Sequence, residues 1–210
     1  MSKDYAKITE NALTNYLPST DCREKKLIDA MAYSLEAGGK RVRPYLVFSF
    51  NSLCGGSEES ATAFACAVEM IHTYSLIHDD LPCMDNDDLR RGKPSNHKVF
   101  GENIALLAGD ALLTLAFETL TNEKTVKICG TPACCRGVSV LSKYAGATGM
   151  IGGQVIDLMS ENTNAPIEVL REMDEMGVQK MYSESFAGGG LGAAIMNRLL
   201  KAAGHHVIRV

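Results

Sequence analysis

The chain has 210 residues, 46% of them hydrophobic and 22% charged, with a formal net charge of −4. That length and balance suit a globular domain with a sizeable core and exclude a disordered chain. The negative charge argues against nucleic acid as the main partner. No uninterrupted apolar run approaches about 18 residues, so no membrane span is expected.

The segment opening with Met1-Ser2-Lys3-Asp4 reads as a polar helix and not as a signal peptide. Helical periodicity dominates the chain, and β-branched runs between turn signals are scarce. An all-α bundle is therefore expected, with polar loops near 18–24, 54–58, 82–100, 121–131 and 160–166. The cysteines, Cys22, Cys54, Cys66, Cys83, Cys129, Cys134 and Cys135, form an odd set without a C-x-x-C pair. They read as reduced, partly buried thiols of a cytoplasmic protein. The adjacent Cys134-Cys135 could also be a redox pair.

The first chemical signal in chain order is Gly38-Gly39-Lys40-Arg41-Val42-Arg43-Pro44. Glycines let the backbone approach a ligand closely, and a basic turn entering a helix N-terminus suits an anion. The same residues also fit an ordinary helix cap with solvated cations. Next, Phe64, Val68, Ile71 and Ser75 recur at helical spacing within residues 61–78. His72 and Asp79 are seven residues apart on this helix, so they share a face about 10 Å apart. His72 could donate to an anionic group or be a satisfied core residue.

The richest stretch follows. Asp79, Asp80, Asp85, Asp87 and Asp88 lie within ten residues. So many carboxylates repel one another unless a cation sits among them. Mg²⁺ is the natural candidate, because it takes hard oxygen ligands and keeps substrate phosphates in its shell. Pro82 should end the helix and turn Asp85 back toward Asp79-Asp80. The alternative is a solvated acidic helix end. Arg90, Arg91 and Lys93 come directly after, as diphosphate ligands or as simple neutralisers of the acids.

Beyond this, residues 104–120 are apolar nearly all round and predict a helix buried in a bundle. Residues 137–158 and 166–176 also predict helices, with Pro166 suited to a first turn. Composition then shifts. Residues 177–210 carry Lys180, Arg198, Lys201 and Arg209 against Glu184 alone, and are rich in glycine. A helix near 192–203 and a short strand over 206–210 are the weak signals there. Gly188-x-Gly190-x-x-Ala193 lacks both the preceding strand and the following acid of a dinucleotide site.

Taken together, the motifs at 38–44 and 79–85, Arg90-Arg91, and Gly152-Gly153-Gln154-x-x-Asp157 resemble the trans-isoprenyl diphosphate synthases (polyprenyl synthetases), most closely those of the bacterial farnesyl type. The resemblance covers roughly residues 1–175. It implies an all-α isoprenoid-synthase bundle around a central cavity, a homodimer, and condensation of isopentenyl diphosphate with an allylic diphosphate, dimethylallyl or geranyl. It implies that Asp79, Asp80 and Asp85 bind Mg²⁺ on the allylic diphosphate and that Arg90 contacts that group. Lys40, Arg43, His72 and Arg91 would hold isopentenyl diphosphate. Gln154 and Asp157 would share a face toward the cavity. Asp110 matches the family too, in a site or a structural role.

The implied chemistry accounts for these residue types. Cations draw charge onto the leaving diphosphate so that the carbon–oxygen bond ionises. The allylic cation then needs a dry cavity. Tyr74, five residues before Asp79, would limit the product near farnesyl length, whereas a smaller residue there accompanies geranylgeranyl synthases. A helical wheel places Tyr74 about 140° from Asp79, which equally suits a core tyrosine.

The resemblance fails after Met176. The family continues with Lys-Thr-Gly and a second aspartate-rich motif, whereas this chain reads Gly177-Val178-Gln179-Lys180 and has no aspartate after Asp174. Two parts are therefore expected: a truncated synthase-like helical domain over 1–176 and a divergent glycine-rich tail over 177–210. An impaired prenyltransferase is the first reading. A non-catalytic diphosphate-binding or subunit-pairing protein is the alternative.

Overall fold

The computed structural model describes residues 4–160. Contacts divide the chain into two units at Ile151/Gly152, and of the second only residues 152–160 are described. The expected helix over 166–176 and the tail over 177–210 lie outside the described residues.

Nine helices and one two-stranded hairpin occur among the described residues. The expected all-α architecture is therefore what the chain adopts. The central element is α4 (Glu58–Asp79). Its start is specified locally: the Ser57 side chain accepts from Ser60 N at 3.2 Å, and Glu58 and Glu59 in the first turn complement the helix dipole. Of the four residues read at helical spacing along it, Ile71 is buried. Ala61, Ala63, Ala65, Cys66, Ala67 and Met70 are all buried, whereas Phe64 and Val68 are only half-buried. Small side chains let neighbouring helices approach α4 on every side.

The partner with most contact is α6 (Glu102–Thr121), which lays Ala105, Ala108, Leu112 and Ala116 into the core. Gly109 is required there, because an added Cβ would run into the His78 ring on α4. By length and composition α6 is the one helix among those described that could cross a membrane, with a mean hydropathy of 1.5. Its packing against α4 is that of a core helix. Burial is less complete than its composition predicts: Leu106 and Leu107 are 46% and 51% exposed.

The rest of the bundle builds on this pair. It comprises α1 (Tyr5–Tyr16), α2 (Lys25–Leu35), α3 (Val42–Leu53), α5 (Asn96–Phe100), α7 (Glu123–Cys129) and α8 (Thr131–Ala145), whereas α9 (Met150–Ser160) lies mostly in the second unit. The main core joins Leu13, Met31, Leu35, Met70, Tyr74, Ile77, Leu112 and Leu120. A smaller cluster holds Phe48, Ala61 and Ala65, with Tyr5 stacked on Phe48 at 4.8 Å.

Three expectations need correction. Residues 82–100 are not all loop: β1 (Leu89–Arg90) pairs antiparallel with β2 (Lys93–Pro94), and α5 follows. Strands of two residues are too short to show alternation. Residues 121–131 contain α7, whose Asn122 cap accepts from Thr125 N at 2.9 Å. The helix over 137–158 is interrupted between α8 and α9, where Gly146 and Gly149 lie so close to the carbonyls of Ser142 and Tyr144 that a Cβ would not fit. The chain instead turns there, Gly149 N donating to Gly146 O at 2.9 Å. The thiols are all free; Cys134 is buried and Cys135 exposed, so the adjacent pair faces different surroundings.

Candidate active site

The acidic stretch folds back as Pro82 predicts. Asp79 is the last residue of α4 and Asp80 its cap. Asp85 N then donates to Asp79 O at 2.9 Å and Asn86 N to Leu81 O at 3.1 Å, with Asn86 at φ 52°. Asp85 is thereby returned to Asp79.

The five carboxylates sort by partner. Asp80, 3% exposed, is ion-paired with Arg90, which also reaches Asp87 at 3.3 Å. Asp88 pairs with Lys98 at 2.6 Å, which holds its carboxyl below the usual range. Among the described residues no cation lies within ion-pair distance of Asp79 or Asp85. Burial, then the Asp85 carboxylate, pushes the Asp79 carboxyl up. Burial also raises Asp80, against the pull of Arg90.

This donor set fits a hydrated Mg²⁺. Such an ion uses one or two protein carboxylates and fills its shell with water and phosphate oxygens, and it would relieve the Asp79–Asp85 repulsion. Asp80 would join it only by exchanging Arg90. Among the described residues no three carboxylate, histidine or cysteine side chains form a preformed metal cage.

The hairpin carries two adjacent arginines, Arg90 and Arg91. Arg91 and Gly92 form its turn with φ of 54° and 79°, the left-handed pair that matches the twist of antiparallel strands. The two arginines diverge: Arg90 reaches Asp80, and Arg91 donates from Nη1 to Gly38 O on the basic turn. Gly39 makes that approach possible. It sits at φ +133°, and a Cβ there would stand 2.6 Å from Arg91 Nη1.

Within the basic turn the sequence expectation is corrected at one residue. Arg41 turns inward to a carboxylate of the chain itself. It is 4% exposed, in the left-handed region at φ 47°, and donates to Glu69 Oε1 and Leu35 O, each at 2.6 Å. Glu10 Oε1 lies 3.5 Å from its Nε, near enough to attract but not aligned as a hydrogen bond. Lys40 and Arg43 remain exposed. Burial, then the charge of Arg43, lowers the pKa of His72 to about 4, with Arg91 and Arg41 adding to the effect and Glu69 opposing it. His72 is thus a neutral hydrogen-bonding group in a positive field.

A small pocket lies between α2, α4 and the hairpin, lined by Tyr33, Thr73, Leu76, Asp80, Arg90 and Arg91 among others. A model of the polyprenyl synthetase family matches residues 24–195. The chain belongs to the polyprenyl synthetase family. It is 46% identical over 188 residues to a farnesyl diphosphate synthase of Bacillus subtilis, covering 90% of this chain and 63% of that one. It is 47% identical over 190 residues to the chloroplastic heterodimeric geranylgeranyl pyrophosphate synthase large subunit 1 of Arabidopsis thaliana, covering 90% of this chain and 51% of that one. Among solved structures, an FPP/GFPP synthase from Zymomonas mobilis superposes with a TM-score of 0.74 at 42% identity, covering 80% of this chain and 60% of that one. The chain thus spans roughly half to two-thirds of the length of these relatives.

Of the other residues expected at a polyprenyl synthetase site, Tyr74 is 5% exposed, its ring edge-on to His78 at 5.7 Å. Its hydroxyl is buried without a hydrogen-bond partner among the described residues. Asp110 is exposed, 3.8 Å from His78 Nε2. Gln154 and Asp157 lie on α9 within the second unit. The reading of the sequence missed Glu69 and the inward turn of Arg41. A glutamate within an apolar helix is a signal for a buried ion pair, since a lone buried charge is too costly.

Proposed function

We propose that this chain binds isopentenyl diphosphate and an allylic diphosphate, dimethylallyl or geranyl, and joins them into a prenyl diphosphate of farnesyl length. Geranylgeranyl diphosphate is the alternative product, since relatives of both kinds match the chain. The reading includes a cytoplasmic homodimer. What supports it is the pair of neighbouring arginines directed to two different sites, Arg90 to the acidic cluster and Arg91 to the basic turn. Two diphosphates must be held side by side without repelling each other apart, and a hairpin with one guanidinium for each does that.

Asp79 and Asp85, with Asp80 after exchange of Arg90, would hold Mg²⁺ beside the allylic diphosphate. When bound, the ion draws charge onto that leaving group and favours its ionisation. Arg90 then forks its oxygens. Lys40, Arg43 and Arg91 neutralise isopentenyl diphosphate, and neutral His72 donates to it without adding charge. Gln154 and Asp157 would be substrate-binding residues, and Tyr74 would limit the growth of the chain.

The test is incubation with geranyl diphosphate and labelled isopentenyl diphosphate, with and without Mg²⁺, and separation of products by length. A Mg²⁺-dependent fifteen-carbon product that disappears in Asp79→Asn supports the reading. Product formation indifferent to Asp79→Asn, or binding of neither substrate, overturns it.

A further inference from the structure

Asn96 opens α5 directly behind the hairpin and is 2% exposed. Its Nδ2 donates to Ala30 O and to Ser34 Oγ of α2, each at 2.8 Å. A backbone carbonyl can only accept, so the amide nitrogen must face α2. Its Oδ1 is then left buried without a partner among the described residues. A buried asparagine that strands its own acceptor gains little for the fold. What it does gain is a fixed position between α2 and the hairpin.

Other bonds define that position. Tyr33 OH, one turn along α2, donates to Pro94 O of β2 at 2.8 Å. Ser95 N donates to Asp88 O at 3.0 Å and closes the base of the hairpin, while Lys98 holds Asp88 from α5. The hairpin itself has only two residues in each strand. An isolated ladder of that size does not hold its shape in water. The placement of Arg90 and Arg91 must therefore come from anchors outside it, and Asn96 is the buried one.

We propose that Asn96 is a positioning residue for diphosphate binding, pinning the Arg90–Arg91 hairpin to α2 through its amide N–H groups. This rests on the diphosphate-binding reading above, but the anchoring can be read without it. Asn96→Leu keeps the volume and removes both donors, along with the orphaned acceptor. Replacing both partners of a bond by apolar groups leaves stability nearly unchanged, so the double variant Asn96→Leu, Ser34→Ala, in which only the Ala30 carbonyl loses a donor, separates effects on folding from effects on placement.

Three measurements on the full chain decide: the thermal midpoint, amide hydrogen exchange across 88–95, and the Kd of inorganic pyrophosphate with Mg²⁺. The expected result for the double variant is a midpoint close to wild type, with Asn96→Leu alone somewhat below it. Hairpin exchange should be roughly tenfold faster, pyrophosphate binding roughly tenfold weaker, and exchange in α4 and α6 unchanged. Should Asn96→Leu fail to fold, Tyr33→Phe and Ser34→Ala carry the same test, with smaller shifts of the same sign. Folded variants with wild-type hairpin exchange and wild-type Kd overturn the proposal. If the wild-type chain binds no pyrophosphate, the diphosphate-binding role fails with the proposed function, and hairpin exchange alone decides whether Asn96 is the anchor.

Discussion

Replacing Arg41 with methionine removes the cation from a pair in which both side chains are buried, at 1% and 3% exposure. The Glu69 carboxylate is left without a counter-charge, and Leu35 O loses a donor. Removing one partner of such a pair is expected to destabilise by about 3–5 kcal/mol. For a chain of this length that is a fall of roughly 6–20 °C in the thermal midpoint. The double variant Arg41→Met, Glu69→Leu removes both charges and should recover most of the loss, since apolar replacement of a whole buried pair is close to neutral. Thermal and urea melts of the wild type, both single variants and the double variant form the cycle. An Arg41→Met protein within about 1 kcal/mol of wild type, or a double variant no more stable than the singles, would refute the claim that Arg41 is a structural cation.

Other predictions follow from the same site. His72 has a folded pKa lowered to about 4 from an ordinary 6.5, so the folded state binds fewer protons than the unfolded one in between. Its contribution is fully present above about pH 6.5 and is lost as pH falls toward 4; between pH 7.5 and 5 the loss should be about 1–2 kcal/mol, and His72→Gln should remove that slope. Asp85→Asn should lower the pKa of Asp79, read by carboxyl NMR, because the Asp85 charge helps hold it up; an unchanged value would mean the two carboxylates do not interact. Gly39→Ala forces a side chain into positive φ and against Arg91. It should destabilise by about 1–3 kcal/mol and weaken pyrophosphate binding, whereas a neutral effect would show that the Arg91–Gly38 contact is dispensable.

The parts of this molecule legible in the sequence were those set by local chemistry. The end of α4 and the return of Asp85 follow from Pro82 and the acidic spacing. The bundle follows from long helical periodicity in residues 61–78 and 104–120. What the sequence hid depends on partners far along the chain. Arg41 looks identical to Lys40 and Arg43 until Glu69, 28 residues away, is seen beneath it. Asn96 carries no motif, and its acceptors lie 66 and 62 residues upstream. The two-residue strands and the short α5 and α7 lack the length for a period to emerge. Much of the burial on α4 follows small residues, which carry little hydrophobic signal.

The central claim is that the hairpin holds two diphosphates through two arginines. Its most direct test is titration of Arg90→Ala and Arg91→Ala proteins with an allylic thiolodiphosphate, which resists ionisation, and separately with isopentenyl diphosphate, both with Mg²⁺. The account predicts that Arg90→Ala weakens chiefly the allylic ligand and Arg91→Ala chiefly isopentenyl diphosphate. Equal loss of both ligands in each variant, or no loss in either, would contradict it.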